Sequence, residues 1–314
     1  MRRVVGVPLT ACFLLGSLPA TARAGGEQWK TNPAARASEQ LRVEVLETLP
    51  HDPEAFTQGL EIHAGRLYES TGMPGQSSVR AGEPGLTPAV RAQLEDSLFG
   101  EGITVIGRTM WQLTWRNMVA IERDSQTLAE LRRLPYAGEG WGICYQQHRR
   151  RIVTSDGSAE LTYRDPETLR EISRISVTDD GRLLARLNEL ECVGDTVYAN
   201  VWGTARIAKI DTTTGKTVAI IDAESVSSAN MRAGVLNGIA AVPGTDQFLL
   251  TGKYWSTMYR VRFVRSTGRQ TMFADRPVGW TYSLEPALAS GGGTPLRQVR
   301  GEIHRPAGRL AEPE

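Results

Sequence analysis

The chain has 314 residues, long enough for one large domain or two small ones. Its 36 basic and 35 acidic side chains nearly cancel, which argues against nucleic acid as a partner, since a dedicated binder carries a basic excess. Hydrophobic residues make up 40% of the chain, enough for a full core. The first 24 residues read as an export signal: Arg2 and Arg3 open it, an apolar run from Val4 to Leu18 follows, and Ala22-Arg23-Ala24 is a small-x-small cleavage site. A membrane anchor needs about 20 apolar residues, more than this run offers. Leu9-Thr10-Ala11-Cys12 has the form of a lipoprotein cleavage box, but too few apolar residues precede Cys12 and too many follow it. The mature chain is therefore expected to be exported, periplasmic or secreted, without lipid anchoring and without membrane insertion. Of the cysteines, Cys144 and Cys192 survive cleavage. Export permits their oxidation, but spacing does not reveal pairing, and in their apolar surroundings buried free thiols fit at least as well as a disulfide.

Residues 25–40 are polar and read as a linker. From 41 to 265 short apolar strands alternate with Gly, Asp, Thr and Pro turns, and no stretch keeps helical periodicity for three turns, so this domain is expected to be all-β. A repeat runs through it. Gln58-Gly59-Leu60, Glu101-Gly102-Ile103, Trp141-Gly142-Ile143, Asn188-Glu189-Leu190 and Asn237-Gly238-Ile239 start at intervals of 43, 40, 47 and 49 residues. Each leads into a second strand beginning at Tyr68, Trp111, Ile152, Tyr198 or Phe248. That period predicts a single-domain five-bladed β-propeller, with five units filling 41–264 and nothing left over. The strand Arg42–Thr48 should close the ring beside Met258–Val264. Equivalent positions should line the central channel in rings: Gln58, Glu101, Trp141, Asn188 and Asn237 at one level, and Gly72, Trp115, Asp156, Trp202 and Gly252, with Lys253 adjoining, at the next. From 266 to 314 the chain holds Ser290-Gly291-Gly292-Gly293, several prolines and few apolar residues, and reads as a mostly flexible tail.

The ring positions sit inside strings that resemble plant-type glutaminyl-peptide cyclotransferases, a family also found in bacteria. These are His51-Asp52-Pro53, Ala55-Phe56-Thr57-Gln58-Gly59-Leu60, Glu69-Ser70-Thr71-Gly72, Phe99-Gly100-Glu101-Gly102, Gln112-Leu113-Thr114-Trp115, Gly138-Glu139-Gly140-Trp141-Gly142, Leu187-Asn188-Glu189-Leu190-Glu191, Ala199-Asn200-Val201-Trp202, Leu236-Asn237-Gly238-Ile239 and Thr251-Gly252-Lys253-Tyr254-Trp255. They run in family order over about 225 residues. The chain departs from the pattern at Ala81–Arg91, where Pro84 and Pro88 make the outer part of the first unit irregular.

The resemblance implies closure of N-terminal glutamine of peptides and proteins to pyroglutamate with release of ammonia, without a cofactor. Both reactants lie in one molecule, so the enzyme mainly holds a folded conformation. The α-ammonium must lose a proton, the leaving nitrogen must gain one, and the oxyanion needs donors. Glu101 fits the proton shuttle, Lys253 supplies positive charge, and Asn188 and Gln58 orient and donate. Phe56, Phe99, Trp115, Trp141 and Trp202 can form an apolar cage that holds the ammonium by cation–π contact. Trp111 and Trp255 read as structural, Asp156 as a turn former, and Glu139, Glu189 and Glu191 as turn or channel hydrogen-bonders. His51, His63, His148 and His304 are scattered without metal-ligand spacing, so catalysis is expected to need no metal. A monomer is expected. The other classes weighed are a metal-dependent lactonase, for which the ring has too few carboxylates, and a non-enzymatic propeller that binds peptides or cell-wall ligands.

Overall fold

The computed structural model describes residues 37–266. The signal reading of residues 1–24, most of the linker and the tail from 267 onward lie outside the described residues. The domain is all-β. Three consecutive stretches each form a four-stranded antiparallel sheet: Thr57–His63 to Val90–Gln93, Gly100–Ile106 to Glu130–Pro135, and Ile143–Gln146 to Glu171–Ser176. The remaining long strands make one eight-stranded sheet. In it, the strand Glu39–Pro50 pairs parallel with Thr217–Asp222 and antiparallel with Thr257–Arg265. It thereby joins the set Leu187–Val193 to Thr217–Asp222 to the set Leu236–Ala241 to Thr257–Arg265. The expected closing strand is therefore present, and it begins at Glu39, inside the segment read as linker.

Apolar residues of successive sheets interlock, as alternating strands with one face turned to a neighbour require. Tyr68 and Val79 of the first sheet pack with Ile103 and Met110 of the second. Trp111 and Leu113 pack with Ile143 and Ile152 of the third, and Val153 and Leu161 with Leu190 and Val197. Ile207 and Ile221 meet Ile239 and Phe248. The series returns on itself, because Leu249 and Met258 pack against Leu60 and Leu67 of the first sheet. Trp111 and Trp255 are buried wedges, with their indole N–H groups given to the carbonyls of Pro166 and Gly234 at 2.9 Å.

Two additions correct the expectation of units with nothing left over. A small hairpin, Thr178–Asp179 with Arg182–Leu183, and a short helical turn beginning at Glu224–Ser227 lie between the regular strands. The irregular Ala81–Arg91 region resolves into a loop at 83–89, after which Val90–Gln93 regains its place as fourth strand. Cys144 and Cys192 form a disulfide between the opening strands of neighbouring sets.

Candidate active site

The first strand of four of the sets breaks register at the same place. The shifts fall between Thr57 and Gly59, Gly100 and Ile103, Leu187 and Leu190, and Leu236 and Ile239. Each skips a polar residue: Gln58, Glu101, Asn188 or Asn237. Such a bulge frees a residue from the ladder and re-aims its side chain, which turns a repeated strand start into a cluster of polar groups. The glycines beside them are required by crowding. A Cβ on Gly102 would stand 2.6 Å from the Trp141 carbonyl oxygen, and one on Gly142 2.1 Å from that of Asn188, so neighbouring inner strands approach as only glycine allows.

The freed side chains form a chain. Asn237 Nδ2 donates to Gln58 Oε1 at 3.1 Å, and Gln58 Nε2 donates to Glu101 Oε1 at 2.9 Å. Glu101 is buried, and its second oxygen, Oε2, accepts no hydrogen bond; Asn188 Oδ1 is likewise buried without a partner. Unmet buried acceptors cost about 1–3 kcal/mol each, a cost that a bound donor relieves. Burial pushes the Glu101 carboxyl well above the usual carboxylate range, opposed by the Lys253 charge and reinforced by that of Glu139. Burial pushes Lys253 down to about 8, against the pull of Glu101. Acid and base are thus driven towards each other on the pH scale. Lys253 Nζ stands 4.4 Å from the centre of the Phe56 ring.

Aromatic rings surround this polar floor. Phe56 meets Phe99 edge-on at 5.8 Å between centroids, Phe99 meets Trp115 at 5.5 Å, and Trp141 meets Trp202 at 6.2 Å. Phe56 and Phe99 are buried, whereas Trp115, Trp141 and Trp202 keep partial exposure and form a rim. Gly72 leaves room for them: a Cβ there would lie 2.4 Å from the Phe99 ring. The geometry brings Gln58 and Glu101 into direct contact and sets Phe56, Phe99, Trp115 and Lys253 in one chain of ring contacts. No hydrogen bond links the Asn188 side chain to that group. Asp156 is exposed and caps its own turn through the Ser158 N–H at 3.0 Å, as a turn former does.

Three comparisons bear on this arrangement. Residues 17–263 match the family model described as glutamine cyclotransferase. The chain belongs to the glutamine cyclotransferase family. A glutaminyl-peptide cyclotransferase of Arabidopsis thaliana is 31% identical over 243 residues, which cover 74% of this chain and 75% of the relative. The crystal structure of Myxococcus xanthus glutaminyl cyclase is similar with a TM-score of 0.68 and 32% identity, over 73% of this chain and all of that one. Membership of the glutamine cyclotransferase family argues against the lactonase and non-enzymatic readings.

Within this family member, two contributions to the site escaped the sequence reading. Glu139, read as a turn or channel hydrogen-bonder with no partner foreseen, accepts the indole N–H groups of both Trp115 and Trp141. Tyr254 packs edge-on against Phe56 at 5.3 Å from a left-handed backbone, φ 60°. Tyr254 lay in a matched string, but nothing in the spacing announced its strained backbone. Glu189 does act as a structural hydrogen-bonder: its oxygens accept the N–H groups of Leu60 and Ile239, 3.3 and 2.8 Å away.

A cavity of about 300 Å³ lies elsewhere, lined by His51, Asp52, Glu69, Arg80 and the segment Gly82–Pro88. His51, Asp52, Glu69 and Arg80 are committed to one another. Glu69 accepts from His51 at 3.0 Å and from Thr57 at 2.7 Å on one oxygen, and from Arg80 on the other, while Arg80 also binds Asp52. The buried charges of this cavity are thus spent on one another, whereas Glu101 keeps an unpartnered oxygen. Among the described residues, no group of three or more His, Cys, Asp or Glu could hold a metal ion.

Proposed function

We propose that this chain converts the N-terminal glutamine of peptides and proteins to pyroglutamate, with Glu101 carrying the proton. The observation that supports it most directly is Glu101 Oε2, a buried carboxylate oxygen without a hydrogen-bond partner, beside an Oε1 fixed by Gln58. The free oxygen accepts a proton from the substrate's α-ammonium, whose ordinary pKa is about 7.7–8. The amine nitrogen attacks the side-chain amide carbon and the ring C–N bond forms. Glu101 gives its proton to the amide nitrogen, whose bond to carbon breaks as ammonia leaves. The restored carboxylate takes the second proton from the ring nitrogen and passes it to ammonia, giving ammonium. The raised proton affinity of Glu101 suits a group that must both take and give a proton near neutrality. Lys253 supplies positive charge to the developing oxyanion, and Asn188, with its open Oδ1, orients the substrate. Phe56, Phe99, Trp115, Trp141 and Trp202 cage the glutamine side chain and ammonium. No metal or cofactor enters this sequence.

The architecture we infer is a five-bladed propeller over 41–265. It is supported by the cyclic packing of successive sheets and by the Glu39–Pro50 strand, whose two pairings merge the last two blades into one eight-stranded sheet. We further propose that the protein is exported, for which the export signal in the sequence and the Cys144–Cys192 disulfide are the support, and that it acts as a monomer. Incubating the purified protein with a glutamine-initiated dipeptide and measuring ammonia tests the activity directly. Stoichiometric ammonia and pyroglutamyl product are expected, unchanged by strong chelator. No release above the uncatalysed rate would refute the reading, and loss in chelator restored only by zinc would refute metal independence.

A further inference from the structure

Glu139 stands outside the chemistry proposed above, yet its contacts converge on the rim of the pocket. Its Oε2 accepts the indole N–H of Trp115 at 2.9 Å and that of Trp141 at 3.1 Å. Its Oε1 accepts from Arg116 Nε at 2.7 Å, and the Arg116 guanidinium lies over the Trp115 ring, 4.2 Å from its centre. Trp115 is thus held at its edge by the carboxylate and across its face by the cation that the carboxylate anchors. Trp115 directly follows the strand Thr109–Thr114 of the second sheet, whereas Glu139 and Trp141 lie in the connection that leads to Ile143–Gln146 of the third. Each indole has a single donor, so one carboxylate oxygen takes the whole hydrogen-bonding capacity of both rings. Trp115 then carries the restraint to Phe99, and Trp141 carries it to Trp202.

We infer that Glu139 is a positioning residue for substrate binding, fixing the separation and angle of the two rim tryptophans so that the aromatic cage stands formed before substrate enters. This rests on the reading of Trp115 and Trp141 as substrate-binding residues. The physical reason is preorganisation. A half-exposed aromatic ring that must be ordered on binding costs affinity, and a ring ordered beforehand does not. A carboxylate suits the task because it accepts several hydrogen bonds at once. The hydrogen bonds from Trp141, Arg116 and Trp115 outweigh the effect of burial and hold Glu139 below the usual carboxylate range, so it stays charged at neutral pH. That fixed charge also favours the protonated form of Glu101, which gives the residue a second, independent signature.

The test is Glu139→Gln, which keeps size but turns one oxygen into a donor that no indole can use. KM for a glutamine-initiated dipeptide should rise about 10-fold, the scale of lost hydrogen bonds to a charged group, while kcat on the plateau stays within about 3-fold. The acid limb of kcat/KM should move to lower pH, because a negative charge favouring the Glu101 proton has gone. Combining Glu139→Gln with Trp115→Phe should raise KM by less than the product of the separate effects. A measurement on the unmutated protein guards against misfolding of the variants: with 15N-labelled tryptophan, the Trp115 and Trp141 indole protons should exchange with solvent far more slowly than their half-exposed rings would allow. Unchanged KM and acid limb in a folded Glu139→Gln protein would overturn the inference, as would exchange of both indole protons at the rate of free indole. If Trp115→Phe and Trp141→Ala themselves leave KM unchanged, the pocket reading falls instead.

Discussion

At the residue scale, Glu101 and Lys253 oppose each other in a way that sets the pH response of the site. In the mechanism we propose Glu101 starts deprotonated to accept the substrate's proton, so activity should fall as pH drops below its raised pKa. In the same proposal Lys253 stabilises the oxyanion only while protonated, so activity should fall as pH rises through about 8. The expected kcat/KM profile is therefore a narrow bell. Glu101→Gln keeps shape and hydrogen-bonding capacity but cannot titrate: kcat should drop by about 10²-fold or more, with KM little changed. Lys253→Met should lower kcat through lost charge and remove the basic limb. Trp202→Ala should act the other way, raising KM through lost apolar and cation–π contact and sparing kcat more. A folded Glu101→Gln protein turning over at the parent rate would remove Glu101 from the mechanism.

The element scale shows why some of this was legible in the sequence and some was not. The strand starts at Gln58, Glu101, Asn188 and Asn237 repeat because four of the sets reuse one solution, a bulged inner strand, and a repeated solution leaves a repeated string; Trp141 keeps the spacing although its strand, Ile143–Gln146, pairs without a register shift. The bulge itself leaves no mark beyond the glycine that crowding demands at Gly59 and Gly102. A second repeat passed unread. Asp124-x-x-Thr127, Asp165-x-x-Thr168 and Asp211-x-x-Thr214 each cap the turn between third and fourth strands, the Asp oxygen accepting the N–H and hydroxyl of its Thr. The residue after each Thr is left-handed, and two of the three are leucines, not the glycine a turn search looks for. Contacts between elements were the hardest to foresee: Glu139 meets Trp115 from 24 positions away, and His51, Glu69 and Arg80 converge from three separate segments.

That convergent cluster anchors the strand which carries Phe56 and Gln58, because Thr57 between them donates to Glu69. Burial opposes the Glu69 charge, but His51, Arg80 and Thr57 prevail and hold its pKa down to about 2. A carboxyl lowered on folding stabilises the protein fully above its unfolded pKa, here the ordinary 4.5, and loses that contribution as pH falls towards about 2. Glu69→Gln should therefore cost about 3 kcal/mol at neutral pH, the scale for breaking a buried ionic network. The gap between parent and variant should close as pH falls from about 4.5 to about 2. Urea unfolding at several pH values measures both. A gap that is small, or constant across that window, would show that the network contributes little.

At the scale of the whole molecule, two devices hold the circuit of sheets together, and they act on different joints. The strand Glu39–Pro50 bridges the last two sets of strands and leaves neither with an open edge there. The Cys144–Cys192 disulfide ties the opening strand of the third sheet to that of the fourth set, across a sequence separation of 48 residues. Cys144 is part of the apolar cluster between those sets, where a free thiol would also have packed, which is why composition and burial could not decide between the two states. The bond restricts the unfolded chain, and for a loop of this length the restriction amounts to about 4 kcal/mol. For a domain of this size that corresponds to roughly 10 °C in Tm. Replacing both cysteines by serine should lower Tm by about that amount, while kcat and KM hold at temperatures where the variant stays folded, because neither sulfur touches Glu101 or the aromatic rim. Reduction separates the bond from the packing of the sulfur atoms: a strong thiol reductant should lower the parent's Tm and leave the double-serine variant unmoved. If reductant leaves the parent's Tm unchanged and alkylation finds two reactive thiols after unfolding without reductant, the cysteines are free, and the support that the disulfide gives to an exported enzyme is lost with it.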